Sequence, residues 1–175
     1  MKTVLEAIHN RTSIRKYTDR TLEKEELETL IKAGMAAPTA GNKQPWAFVV
    51  VTEKETLKSL ADALPYAAFT KNAPAAIVVC GDPQKGFQGE EEPLWIQDCS
   101  AATENILIAA EAMGLGATWT AVHPLADREE TVREILGLPA HIIPFNVVPV
   151  GEPGHHPKAK VKWNPDNLHW ETWQS

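Results

Sequence analysis

The stretch that most restricts the fold of this chain is Leu94 to Met113. It reads as a long helix carrying Ile96, Ala101, Ala102, Ile106, Leu107, Ala109 and Ala110, so its apolar residues cover more than one face. A helix that is apolar nearly all round must be buried, either inside the fold or against another chain. Gly114 ends it. Ala75 to Cys80 is almost wholly apolar over a strand's length, which places it at the centre of a sheet with both faces covered.

Other elements arrange themselves around these two. Val4, Leu5 and Ile8 fall at helical spacing within residues 3–10. Leu22-Glu23-Lys24-Glu25-Glu26 opens a second helix with acidic residues at its positive end. Leu27, Leu30 and Ile31 form its stripe, and it stops at Pro38 after about Ala37. Ala47 to Thr52 is a strand, Lys54 to Leu64 a helix, and Gly116 to Val122 a third strand. Arg128 to Leu136 is a helix ending at Gly137, and Ile142 to Val150 is a fourth strand. From Gly151 to Ser175 the prolines at 153, 157 and 165 favour an extended arm. Trp163, Trp170 and Trp173 on that arm need a surface to cover them, and a second subunit is a good candidate.

Length and charge bound what such a chain does. At 175 residues it is expected to be one domain, 1–175, with 151–175 as the arm. A net charge of −6 gives no basic field for nucleic acid. No apolar run reaches the ~18 residues that span a bilayer, and MKTVLEAIHNR has no signal-peptide stretch, so a soluble, cytoplasmic protein is expected. Cys80 and Cys99, in apolar surroundings, read as reduced buried thiols. His155-His156 lacks further ligands, so no metal site is expected.

Two polar clusters stand out. In Arg11-Thr12-Ser13-Ile14-Arg15 the residues Arg11, Ser13 and Arg15 alternate, so an extended backbone points all three the same way. Two guanidiniums and a hydroxyl on one face suit a phosphate, and a solvated basic turn is the alternative. In Pro38-Thr39-Ala40-Gly41-Asn42-Lys43-Gln44-Pro45-Trp46, Asn42 and Gln44 flank Lys43 on one face of an extended stretch. Their amides suit the edge of a heterocycle; a plain helix-to-strand turn would also use Pro, Gly and Asn. Gly114-Leu115-Gly116 follows a helix and precedes a strand, the reverse of the dinucleotide-binding order, and is a helix cap. Thr118 to Pro124 ends a strand, where ligand crevices of α/β sheets lie. Ser100 has no nucleophile elbow, and no hydrolytic triad is evident. Ligand-binding clusters without acid–base machinery point to chemistry carried by a cofactor.

Together these pieces resemble the FMN-dependent nitroreductase family. The likeness rests on residues 11–15, on Ala37 to Trp46, on Gly114 to Thr120, and on Lys158-Ala159-Lys160-Val161-Lys162 followed by His169-Trp170-Glu171. It implies an α+β, three-layer α-β-α fold with a mixed, mainly antiparallel sheet of about four strands, plus a C-terminal strand exchanged with a dimer partner. It implies a homodimer with non-covalent FMN at the interface and NAD(P)H as reductant. By that resemblance Arg11, Thr12, Ser13 and Arg15 hold the phosphate, ribityl chain and pyrimidine side, with Lys160 and Lys162 adding charge at the phosphate. Pro38, Thr39, Asn42 and Gln44 contact the flavin from the other subunit, and Thr120, Ala121 and Val122 lie at the ring. No side chain is catalytic, because the flavin passes hydride to a flat acceptor such as a nitroaromatic or quinone in ping-pong fashion. Other flavin chemistry (dehalogenation, flavin breakdown, heterocycle dehydrogenation) and a non-catalytic flavin-binding dimer are the alternatives. Larger members carry a helical excursion over the site. Here only Gly81 to Pro93 intervenes, with Phe87, Leu94 and Trp95 as candidate lid residues.

Overall fold

In the computed structural model, which describes residues 2–173, Leu94–Ala112 (α4) lies across one face of a five-stranded sheet. The other helices are Val4–Asn10 (α1), Lys24–Met35 (α2), Lys54–Ala63 (α3) and Ala126–Leu136 (α5). The strands are Trp46–Val51 (β1), Ala75–Gly81 (β2), Gly116–Ala117 (β3), Thr120–Ala121 (β4) and Ile143–Gly151 (β5). β1, β2 and β5 lie side by side, and β3 and β4 both pair with the far edge of β5. All these pairings are antiparallel. The parallel component implied by a mixed sheet is a single bridge, Ser13 to Ala117, outside the named strands.

Every residue of β2 is buried, as its unbroken apolar run requires. Strand alternation then divides the core. Ile77, Val79, Val148 and Val150 face α2 and α4, whereas Ala76, Val78 and Val147 face the side of α3 and α5. Layers of helix, sheet and helix follow from that division. α2 begins at Lys24 and ends at Met35, shorter at both ends than the pattern from Leu22 to Ala37 suggests. Glu26 accounts for its start: it accepts the Glu23 backbone N–H at 2.9 Å and pairs with Arg20 at 2.8 Å.

Two expectations need correction, and the arm stands apart. The strand expected over Gly116 to Val122 is two short pieces in one register, broken at Thr118-Trp119. Opposite Thr118 stands Pro149, which has no N–H to return the hydrogen bond that Thr118 donates at 3.3 Å. In α1 the buried residue is Ala7, while Val4, Leu5 and Ile8 face outward. Among the described residues, the arm pairs with no strand of its own chain beyond Pro153. Among its described residues it forms one turn of 3₁₀ helix at Pro165–Asn167 and leaves Val161, Trp163, Trp170 and Trp173 exposed. The last two residues of the expected arm, 174–175, and Met1 lie outside the described residues.

Candidate functional site

The first cluster is an extended segment laid against β3. Ile14 donates its N–H to the Ala117 carbonyl at 3.1 Å, and Thr118 Oγ1 donates to the Ile14 carbonyl. The Ile14 side chain is buried, and a methyl group on Gly116 would sit 2.6 Å from it, so glycine is what lets the segment approach. With Ile14 turned in, Ser13 and Arg15 are exposed on the opposite side, the alternation expected of an extended strand. Arg11 is half-buried and pairs through Nε with Glu104 of α4 at 3.5 Å. Arg15 lies over the Phe69 ring, 5.7 Å from its centroid. Thr12 is half-buried and lines a cleft with Lys158 and Ala159 at the root of the arm. Tyr17 closes the segment, its hydroxyl donating to the carbonyls of Ile14 at 2.8 Å and Pro149 at 3.2 Å. Burial holds the Tyr17 phenol well above its ordinary pKa.

The second cluster is not the extended stretch read from its sequence. Ala40–Asn42 is a 3₁₀ turn, and Gly41, Asn42 and Gln44 all have left-handed backbone with φ of 55°, 54° and 51°. Such a backbone is costly at Asn and more so at Gln, and cross-links hold it in place. Thr39 Oγ1 accepts the Gln44 N–H at 3.1 Å, and Gln44 Nε2 donates to Asn42 Oδ1 at 3.1 Å. Asn42 and Gln44 therefore do face each other, as one exposed amide pair at the tip of a turn. Pro38 is exposed beside them. Phe87 packs under Gly41 and carries Lys43 over its ring at 5.2 Å. Trp95, read as a lid candidate, is buried instead, with its ring against Gly81 and edge-on to Phe145 at 5.9 Å.

The third candidate segment is β4. Ala121 is exposed and Thr120 half-buried, with the Thr120 hydroxyl oxygen buried and unpartnered. Val122 has least to offer a ligand: its side chain is fully buried and its N–H is taken by the Phe145 carbonyl at 3.2 Å. Arg128 donates to the Ala121 carbonyl at 3.2 Å, and His123 Nδ1 pairs with Glu129 at 2.8 Å. Lys160 and Lys162 stand exposed on the arm.

One chain does not bring the two main clusters together. Ser13 sits at the level of Ala117, Val150 and Ala75, one end of the sheet. Gln44 precedes Trp46, which pairs with Gly81 at the other end. The seven residues of β2 separate them by about 20 Å. Sequence reasoning missed Glu104, Phe69 and Asp98, the last of which accepts the Ala40 N–H at 2.9 Å. Asp98 and Glu104 are both carboxylates of the largely apolar α4, and nothing in their local sequence names their partners.

Comparison with known proteins places this arrangement. Residues 8–64 and 61–152 match the model of the Nitroreductase family. A protein of Methanothermobacter thermautotrophicus named "Putative NADH dehydrogenase/NAD(P)H nitroreductase" is 45% identical, over 97% of this chain and 87% of that protein. A crystal structure from Parabacteroides distasonis with the same name superposes with a TM-score of 0.93 at 48% identity, covering 99% of this chain and 100% of the other. An FMN-dependent nitroreductase from Clostridium difficile gives a TM-score of 0.88 at 30% identity, covering 97% and 99%. With the family model matched over most of the chain and relatives this similar along their whole length, the chain belongs to the nitroreductase family.

Proposed function

We propose that two copies of this chain bind two FMN molecules non-covalently at their interface and act as an NAD(P)H-dependent flavin oxidoreductase. The observation that carries this reading is the separation of the two polar clusters. Each presents exposed polar side chains, and about 20 Å of strand divides them within one chain. A two-fold axis would bring one copy's Arg11, Ser13 and Arg15 next to the other's Pro38, Thr39, Asn42 and Gln44. The outward apolar face of α1 and the exposed tryptophans of the arm are surfaces that a second subunit would cover.

The residues present fit the cofactor. Arg11, paired with Glu104 in the structure, would turn its guanidinium to the phosphate, with Lys160 and Lys162 of the arm as further cations. Thr12 of the same segment shares a cleft with Lys158 and Ala159 at the root of that arm. Ser13 offers a hydroxyl to the ribityl chain. Arg15 is held over Phe69, where a cation would favour negative charge developing on the pyrimidine edge. Thr120 and Ala121 would border the ring, the orphaned Thr120 hydroxyl finding a partner there, while Val122 supports them from the core. The asparagine and glutamine amides supply mixed donors and acceptors. When bound, FMN supplies the two-electron chemistry, taking hydride from NAD(P)H and giving it to a flat acceptor such as a nitroaromatic or quinone in ping-pong order. Relatives named FMN reductase in Bacillus subtilis and NADPH-flavin oxidoreductase in Vibrio harveyi support that class of reaction.

The test is to purify the protein, titrate it with FMN, and weigh it by sedimentation equilibrium. A yellow protein absorbing near ~450 nm, at twice the 19.3 kDa chain mass, that oxidises NADH or NADPH with a quinone is the expected result. A colourless monomer indifferent to FMN overturns the proposal. A fully loaded dimer without turnover leaves only a flavin-binding role.

A further inference from the structure

We propose that Asp98 is a positioning residue: its buried carboxylate locks the left-handed turn at 40–44 into the shape that meets the cofactor held by the other subunit. The second half of that statement rests on the function proposed above; the locking of the turn does not.

Asp98 is 6% exposed and lies one helical turn into α4. No ion pair to it occurs among the described residues. A carboxylate removed from water without a cation is unfavourable unless its hydrogen bonds repay the loss of solvation. The bond it makes is to a backbone N–H, Ala40 at 2.9 Å. A charge-assisted bond of that kind is among the stronger ones a protein makes. Ala40 leads directly into Gly41 and Asn42, the first two left-handed residues of the turn.

The neighbouring residue of α4 holds the far end of the same segment. Cys99 directs its thiol at the carbonyls of Cys80 at 3.7 Å and Pro45 at 3.9 Å. Asp82, just past β2, donates its N–H to Pro45 at 2.9 Å. Residues 40 to 45 are thus tethered at both ends to rigid elements, with Phe87 beneath the middle. Between the tethers stand Asn42 and Gln44, whose left-handed backbone would relax if one end came loose. A preorganised turn presents its amides without an ordering cost at the moment of binding.

Three readouts decide it. In the wild-type apoprotein the Ala40 amide should exchange slowly with solvent, and exchange at the rate of an open loop overturns the proposal. Asp98→Leu keeps the bulk and removes the acceptor; Asp98→Asn keeps an acceptor oxygen. Trypsin should cut after Lys43 at least tenfold faster in the apo Leu variant than in wild type, with the Asn variant near wild type. Retention of FMN should weaken about ten- to a hundredfold in Asp98→Leu and recover in Asp98→Asn. Wild-type cleavage and wild-type FMN affinity in the Leu variant, or an Asn variant as impaired as Leu, overturn the role. Should the Leu variant not fold, amide exchange in wild type and cleavage in the Asn variant still decide the locking. Should wild type bind no FMN, the proposed function fails, and exchange and cleavage judge Asp98 on their own.

Discussion

Cys80 and Cys99 meet between β2 and α4, buried and unpaired to any disulfide. Burial pushes the Cys80 thiol up to about 12 from an ordinary 9.0, and raises Cys99 as well, with the neighbouring Cys80 and Asp98 adding to it. Between pH 9 and 12 the unfolded chain therefore gives up protons that the folded chain keeps. Fewer protons bound by the unfolded state means that stability falls as pH rises, by about 1.4 kcal/mol per pH unit for each thiol; below pH 9 the contribution is intact. Urea melts at pH 8 and pH 10.5 should show this loss, and a Cys80→Ala, Cys99→Ala double variant should lose less, leaving the share of buried Tyr17. The buried thiols were legible in the sequence from their apolar neighbours. Asp98 and Glu104 were not, because their partners, Ala40 and Arg11, are far away along the chain. Alternation made Arg11, Ser13 and Arg15 legible as one face, since it depends on nothing but local backbone.

Elements whose pattern is local were read well. Helices α2 to α5 follow apolar spacing and their stops, such as Gly137 in left-handed backbone at the end of α5. The break between β3 and β4 escaped because its cause, Pro149, lies on the opposite strand. The turn at 40–44 escaped for a similar reason, since left-handed glutamine is tolerated only where α4 and Phe87 hold it. The contact between the 11–15 segment and β3 yields a test at this scale. Gly116→Ala would push a methyl to 2.6 Å from Ile14, overpacking that costs about 1–3 kcal/mol. A lower urea midpoint together with weaker FMN retention is expected, because displacing Ile14 moves Ser13 and Arg15 with it. Loss of stability with unchanged FMN affinity would detach that segment from the cofactor.

At the scale of the molecule, the long apolar helix did foretell a buried centre. Cys99, Ala102, Ile106, Leu107 and Ala110 of α4 are covered by the chain's own sheet and α2, while Ile108 and Ala109 are only half-covered. The tryptophan-bearing arm likewise announced a need that its own chain does not meet. What the sequence could not reveal was distance, and it is distance that gives this fold its genetic signature. If every pocket is built from halves on separate polypeptides, damage to opposite halves is not additive across a population. Arg11→Ala ruins one half and a deletion of Asn42 to Gln44 the other, and each homodimer alone should be inert. Unfolded together and refolded as a mixture, half the molecules are hybrids with one pocket whole and one doubly broken, so about one site in four should recover FMN and turnover. Two inactive alleles would then rescue each other, whereas pockets contained within one chain would stay silent in any mixture.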